Sequence, residues 1–471
     1  MTAAVALAGT VSWGSAIEVP GTAALNVGDH ADVLSVSCAS AGNCSAGGYY
    51  ADGSNFGTQA FVVSEQGGVW GTAIEVPGTA QFGRNAEVAA VSCAAPGDCA
   101  AGGGPAEADY GSLSPAFVVD EANGSWGTAT AVRGLAHLNA GDGATVTSVS
   151  CGSPGNCAAA GYYAAGSDRY GDPWDFRAFV VSEKNGNWGT ARRVATAPGF
   201  SVRGHTRVAY SVPVSCVGVG HCVAGGSAPN RQAFIVVARN GAWDPATKVP
   251  GMVALTGRSG QSGVKTVSCT SPGDCAAGGW YTRGTQPGRE YAFVVAERNG
   301  KWGNAIRLRG IPAAPSEYGA GVWSLSCASA GNCAGGGLYA NSTYTSQAFV
   351  VAEHNGVWGA AEEVPGTATL NTGGNAWVAS VSCASAGNCA ASGYYLTYVA
   401  GHYTNHAFVV SERAGVWGTA EDVPGMAALA VGGVPGYPWS SPVSCASSGS
   451  CAIGGSYIDG SDDSQAYVTA P

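Results

Sequence analysis

The stretch ASVSCASAGNCAASGYY, residues 379–395, followed after a short interval by HAFVVSERAGVWGTAEDVPG, residues 406–425, decides the fold. It holds four short runs rich in β-branched and aromatic residues, separated by turn residues: Ser380–Cys383, Cys389–Tyr395, Ala407–Glu412 and Val416–Val423. The spacing leaves no room for a helix. Two cysteines bracket the turn between the first two runs, and the same pair recurs along the chain. Cys38 goes with Cys44, Cys93 with Cys99, Cys151 with Cys157, Cys216 with Cys222, Cys269 with Cys275, Cys327 with Cys333, Cys383 with Cys389 and Cys445 with Cys451, which uses all 16 cysteines. Their first members lie 55, 58, 65, 53, 58, 56 and 62 residues apart, so one unit recurs eight times. Four antiparallel strands in a unit of this length are one blade of a β-propeller.

The chain opens with VSWGSAIEVPG (Val11–Gly21), a fourth strand without its first three, and closes with QAYVTAP (Gln465–Pro471), a third strand without its fourth. Joined, they complete one blade. The expectation is an all-β, single eight-bladed propeller over residues 11–471, its ring closed by the N-terminal strand, with one disulfide inside each blade. Residues 1–10 are apolar but lack a basic start, and read as a signal remnant or a disordered beginning.

Composition narrows the function. Charged residues make up 11%, Gly numbers 74, and the net charge is −10 with 21 scattered Lys and Arg, which argues against nucleic acid. Eight evenly spaced cysteine pairs point to an oxidising, extracellular location. No apolar run is long enough to span a bilayer. Zinc is disfavoured because the pairs are too widely spaced and no histidine accompanies them. The chain reads as a monomer without a cofactor, calcium excepted.

The turn between third and fourth strands is nearly constant: SEQGGVW (64–70), DEANGSW (120–126), SEKNGNW (182–188), AERNGKW (296–302), AEHNGVW (352–358), SERAGVW (411–417). It resembles the Asp-box repeat of the sialidase-like (BNR) propellers, with Ser64, Gly68 and Trp70 in comparable places, although the spacing is one residue shorter and Glu or Asn replaces the Asp. The cysteine segment is similar to repeats of secreted actinobacterial proteins. These resemblances imply a propeller and no particular chemistry. The Glu of this turn (Glu65, Glu121, Glu183, Glu297, Glu353, Glu412) recurs too often for a catalytic acid.

The two constant turns share one face. The loops from second to third strand occupy the other and vary, with four residues in unit four (229–232), eleven in unit seven (396–406) and fourteen in unit three (164–177). Variable loops on a rigid frame are the usual layout of a binding site. Eight tryptophans belong to the repeat and pack between blades. The other five, Trp174, Trp280, Trp323, Trp377 and Trp439, fall on the variable side; with Tyr437 they are the expected ligand-binding set, which grips a sugar by stacking or else fills the ring's gaps. Trp323, Trp377 and Trp439 are expected just before three successive first strands, around one sector near the axis.

Asn26, Asn139 and Asn371 recur after the fourth strand, as repeated pocket residues or as caps of their own loops. Asp172 and Asp175, or His402 and His406, are the candidate catalytic groups; Asp459, Ser461 and Asp463 mimic the alternating oxygens of a calcium loop. The expected function is a secreted, lectin-like propeller that binds a carbohydrate or cell-surface glycan. Its alternatives are a polysaccharide-degrading glycoside hydrolase or lyase with its site at the axis, and a protein-interaction or cell-surface scaffold; whether the chain is an enzyme stays open.

Overall fold

The computed structural model describes residues 13–54, 57–82, 85–105, 115–139, 143–167, 173–194, 211–228, 231–284, 289–311, 319–341, 345–432, 440–447 and 450–469, with only the backbone at 167 and 173–175. It is an eight-bladed propeller. In blade one the strands are Ala31–Ser40, Asn43–Ala51, Thr58–Gln66 and a broken fourth made of Val69–Trp70 and Ile74–Glu75. Blades two to seven repeat this order. Blade eight consists of Val443–Ser447, Ser450–Ile458 and Ser464–Thr469, completed by Ala16–Glu18, whose Ile17 pairs with Val468. The N-terminal strand therefore closes the ring, as its sequence requires.

Two details depart from the sequence reading. The fourth strand is not continuous. At Gly71–Ala73 it leaves its own sheet, and the Ala73 N–H is given to Pro20 O of the preceding blade at 2.7 Å; Ala129 with Pro77 and Ala420 with Pro365 repeat the bond. The VPG segments that supply these carbonyls also begin single helical turns, Thr22–Leu25, Met252–Thr256, Thr367–Leu370 and Met426–Leu429, where no helix was expected. Each starts after a glycine at positive φ, such as Gly366 at 93°.

All eight disulfides form as paired in sequence, one in each blade. Each joins directly opposed residues of the first two strands with Cα atoms 3.9–4.0 Å apart. The second members, Cys44, Cys99, Cys157, Cys222, Cys275, Cys333, Cys389 and Cys451, are all buried in the packing between blades. Buried and oxidised, these sulfurs are core atoms and staples, and they offer a ligand or a metal no lone thiolate.

The 3.9–4.0 Å separation marks the narrow, non-hydrogen-bonded kind of antiparallel pair, so the cysteine N–H on the first strand points away from its own blade. The serine that precedes the first cysteine of the neighbouring blade takes it. Cys93 N–H donates to Ser37 Oγ at 2.9 Å, Cys151 to Ser92 at 3.0 Å, Cys216 to Ser150 at 2.9 Å and Cys269 to Ser215 at 3.0 Å. Cys327 continues to Ser268 at 2.9 Å, Cys383 to Ser326 at 3.0 Å, Cys445 to Ser382 at 2.9 Å, and Cys38 returns to Ser444 at 3.0 Å. The Ser-Cys dipeptide is thus a belt of eight bonds around the axis.

The constant face is built from the two turns. Residues such as Asn355 and Gly356 adopt φ of 50° and 81°, the pair of positive values that a two-residue hairpin requires. The glycine N–H of this turn then reaches the cysteine turn of its own blade, as Gly356 does to Gly331 O at 2.9 Å. Behind it, Glu65, Glu121, Glu183, Glu297, Glu353 and Glu412 are all buried. Glu121 reaches across to blade one, where Ser45 and Ser64 donate to it at 3.1 and 2.7 Å; Glu353 meets Arg298 of blade five at 2.6 Å. They are inter-blade wedges.

The repeated tryptophans behave alike. Trp126 Nε1 donates to Ser64 Oγ of the previous blade at 3.0 Å, Trp188 to Asp120 at 2.9 Å and Trp243 to Ser182 at 3.0 Å. Where the accepting position is Val237, Ala296 or Ala352, the indoles of Trp302, Trp358 and Trp417 are buried without a partner. The expected packing role holds, and one residue in the previous blade decides whether it is hydrogen-bonded.

Candidate functional site

The innermost strands also position the site. In six blades the first strand bulges at the fourth residue before its cysteine: the register against the second strand shifts across Leu34, Ala89, Thr147, Lys265, Trp323 and Ala379. A bulged residue has no cross-strand partner, and its side chain is re-aimed out of the pleat. Opposite each bulge stands a glycine that no other residue can replace. A Cβ on Gly337 would lie 1.9 Å from Gly321 O, and one on Gly393 would lie 2.0 Å from Trp377 O.

Two residues before the bulge, a second position recurs: Asp32, Glu87, Thr145, Gly263, Gly321 and Trp377. These two rings of positions give the rim at the axis its chemistry, and they divide it into arcs.

Blades five to seven form an aromatic arc. Trp323 is 45% exposed, although it belongs to the innermost strand. Its ring stacks on Trp377 of the next blade, centroids 6.3 Å apart and 17° between planes. Tyr394, buried, supports Trp377 edge-on at 4.2 Å. Lys265 Nζ lies 4.8 Å from the centre of the other indole, Trp323. Trp280 extends the group into blade five: a Cβ on Gly263 would come 3.0 Å from Trp280 Nε1, and one on Gly321 would touch both Trp280 and Trp323. Glycines at these two positions make the room in which the indoles lie. Burial raises the Glu290 carboxyl above its ordinary range, while Lys265 and Arg231 pull it back. Burial likewise raises the Tyr394 phenol, against the pull of a hydrogen bond with the Asn375 side chain.

Blades one and two form an acidic arc. Asp32 is buried and accepts from Ser440 Oγ at 2.8 Å. Burial pushes its carboxyl up to about 8, against the pull of Ser440 and Ser456, and Glu87 of the adjoining blade adds repulsion. Tyr49, paired with Asp32 across the strands, is pushed up by burial and then by both carboxylates, and meets His30 Nε2 at 3.3 Å.

The structure sorts the expected site residues. It brings Trp323, Trp377 and Trp280 together. Trp323 and Trp377 lie within the first strands rather than before them, because these strands are ten residues long and start well ahead of the Ser-x-Ser-Cys motif. Trp439, Tyr437 and Asp172 lie outside the described residues, as do the side chains of Trp174 and Asp175. The long interval of unit seven is no loop: its strands run as Asn388–Val399 and His402–Arg413, paired up to the turn at Ala400–Gly401. Unit three behaves alike, with Ser167 paired to Pro173.

That hairpin separates the two histidines. Four residues along a strand is about 13 Å, so His402 at the tip and His406 do not meet on one ion. His406 instead stacks on Tyr395, centroids 4.9 Å apart, and burial lowers its pKa. Among the described residues no group of three His, Cys, Asp or Glu is placed to hold a metal. Asp459 serves its own turn: its Oδ1 accepts the N–H groups of Ser461 at 2.8 Å and Asp463 at 3.2 Å, and its Oδ2 accepts from Gln465 at 3.2 Å. Of the repeated asparagines, Asn26 and Asn371 are buried, and their Oδ1 atoms accept the N–H of His30 and Asn375, both at 2.8 Å. They cap their loops. Among the described residues no helix is long and apolar enough to cross a membrane.

No protein-family model and no curated protein matches the chain. Solved structures do resemble it. Sqt1 from Chaetomium thermophilum aligns at 12% identity over 94% of this chain and 96% of its own, TM-score 0.46. The fucose-specific lectin from Aleuria aurantia aligns at 12% identity over 69% of this chain and 95% of its own, TM-score 0.35. A Mycobacterium tuberculosis puromycin-hydrolysing peptidase aligns at 13% identity over 88% of this chain and 56% of its own, TM-score 0.41. Likenesses this distant carry no argument about function. The strand order of the eight sheets defines the fold by itself.

Proposed function

We propose that the protein is an extracellular carbohydrate-recognition propeller whose ligand seats on the aromatic arc of the rim. The observation that carries this reading is the Trp323–Trp377 stack, an indole 45% exposed on an innermost strand and backed by a second. Large apolar rings held at a solvent-facing rim expose surface that folding would otherwise bury, and a pyranose presents a matching apolar C–H face with hydroxyls at its edge. Lys265 Nζ, 4.8 Å from the centre of Trp323, sets a cationic group beside the indoles. Eight disulfides support a place outside the cell. A glycan array probed with the parent, Trp323→Ala and Trp377→Ala tests it: the parent binds a defined set of glycans and both variants lose them. A parent that binds none overturns the reading.

A second reading rests on the acidic arc. Burial raises the Asp32 carboxyl to about 8, Glu87 of the adjoining blade adds to that rise, and a carboxyl held towards its neutral form near a second carboxyl is an arrangement that glycoside cleavage can use. On this reading the hydrolytic groups are these two rather than Asp172 and Asp175. Reducing-sugar release from a polysaccharide panel, abolished by Asp32→Asn and Glu87→Gln, is the expected outcome; release unchanged in both variants rules it out.

A further inference from the structure

We infer that the ligand of the aromatic arc is a linear glycan of several residues, held at its far end by the hairpin of blade seven. This rests on the carbohydrate reading above and extends it outward. The second and third strands of blade seven are twelve residues each, against nine in blade six. They continue past Tyr395 and His406 through the pairs Leu396 with Asn405, Thr397 with Thr404, Tyr398 with Tyr403 and Val399 with His402. The projecting part is braced. Gly373 N–H donates to Leu396 O at 2.7 Å, Leu396 N–H to Asn375 O at 2.8 Å, and Tyr398 N–H to Thr372 Oγ1 at 3.0 Å.

Alternation along the strands places Trp377, Tyr394, Leu396 and Tyr398 on one face of this sheet, with Asn405 and Tyr403 across from the last two. The sheet face that carries Trp377 at the axis therefore runs on along this strand pair to the hairpin tip. There Tyr398 is 49% and Tyr403 64% exposed, their rings 4.7 Å apart. From Tyr394 to Tyr398 the strand rises about 13 Å, and the Trp323–Trp377 stack adds 6.3 Å between centroids. A mono- or disaccharide cannot occupy both ends. The surface between them is one strand pair wide and mixes an apolar side chain, Leu396, with an amide, Asn405, both half-buried.

A narrow track of aromatic platforms and intervening amides matches an extended chain of equatorially linked pyranoses, whose C–H faces and hydroxyl edges recur along its length. A folded protein partner needs a broader patch. Because backbone bonds hold the hairpin before any ligand arrives, little ordering cost attends its use.

The test uses the full chain and two size-graded probe series, β-1,4-linked glucose and β-1,4-linked N-acetylglucosamine oligosaccharides of one to six residues, titrated by calorimetry. In at least one series affinity rises about tenfold or more between the disaccharide and the longer members. The double variant carrying Tyr398→Ala and Tyr403→Ala loses that increment and keeps the disaccharide affinity and the melting temperature, while Trp377→Ala weakens every member. Affinity independent of length, with disaccharide binding still lost in Trp377→Ala, overturns the hairpin inference and leaves the arc intact. A Tyr variant that weakens short and long ligands equally also overturns it. No binding of any member, together with a silent glycan array, overturns both.

Discussion

The two arcs of the rim share one backbone and differ in their chemistry. Blade one and blade six both bulge four residues before the cysteine, both oppose the bulge with a glycine, and both pass the cysteine N–H to a serine of the preceding blade. Yet the bulge carries Leu34 in one and Trp323 in the other, and the position two residues earlier carries Asp32 or Gly321. The frame is fixed by backbone geometry and small residues; recognition is written in two side chains per blade.

The equivalence of the frames is broken first at the glycines. Gly48→Ala and Gly393→Ala each put a Cβ within 2.0 Å of a backbone oxygen, so each should destabilise by about 3 kcal/mol or more. Similar losses in denaturant unfolding are expected from the two arcs; a large loss in one alone shows that the frames differ.

Titration separates the arcs next. Asp32 has a folded pKa raised to about 8, above an unfolded value of about 3.9. The folded state therefore binds the proton more tightly: its contribution is complete below about pH 4 and is lost as pH rises through about 8, with a slope of up to about 1.4 kcal/mol per pH unit. Glu183 and Glu412, each raised to about 7 by burial, act in the same direction outside the arcs. Stability measured from pH 4.5 to 8.5 should fall, and Asp32→Asn should flatten the slope while Trp377→Ala leaves it unchanged.

The belt common to both arcs responds more mildly. Ser382→Ala leaves the Cys445 N–H without its acceptor, which should cost about 1–3 kcal/mol, and Ser444→Ala at the point of closure should cost the same. The smallest effect is a gain: Ala352→Ser offers the buried Trp417 indole the acceptor that Ser64 gives Trp126. Unfolding free energy should rise by about 1 kcal/mol.

Much of this was legible in the sequence, because the cysteines act as a ruler. Counting blades and pairing the disulfides followed from their spacing, closing the ring from the partial blades at the two ends, and assigning the repeated tryptophans from the constant turn before the fourth strand. The rim was only half legible. Trp323 and Trp377 stand out as tryptophans that do not belong to the repeat, but they fall on different positions, four and six residues before a cysteine, and a bulge hidden in the pairing brings them together. Lys265 was missed for the same reason: four residues before Cys269 it looks like one more surface lysine. The hairpin of blade seven passed for a loop although Leu-Thr-Tyr-Val and His-Tyr-Thr-Asn flank Ala400–Gly401, residues at φ of 51° and 91°. The Tyr and β-branched residues there carried the strand signal. Asp32 could not be singled out, since the serines that hydrogen-bond to it, Ser440 and Ser456, come from the far end of the chain.

The serine–cysteine belt has a consequence for how the molecule comes apart. In an open array of repeats the terminal units fray, and unfolding moves inward from them. Here Cys38 of blade one leans on Ser444 of blade eight as every other cysteine leans on the serine before it. With no weakest end from which to unzip, loss should be all-or-none, and the point at which the ring is opened matters little. A circular permutant reopened at Ala400–Gly401, with a linker running from Ser464–Thr469 to Ala16–Glu18, should melt as cooperatively as the parent, the same ring with its seam moved.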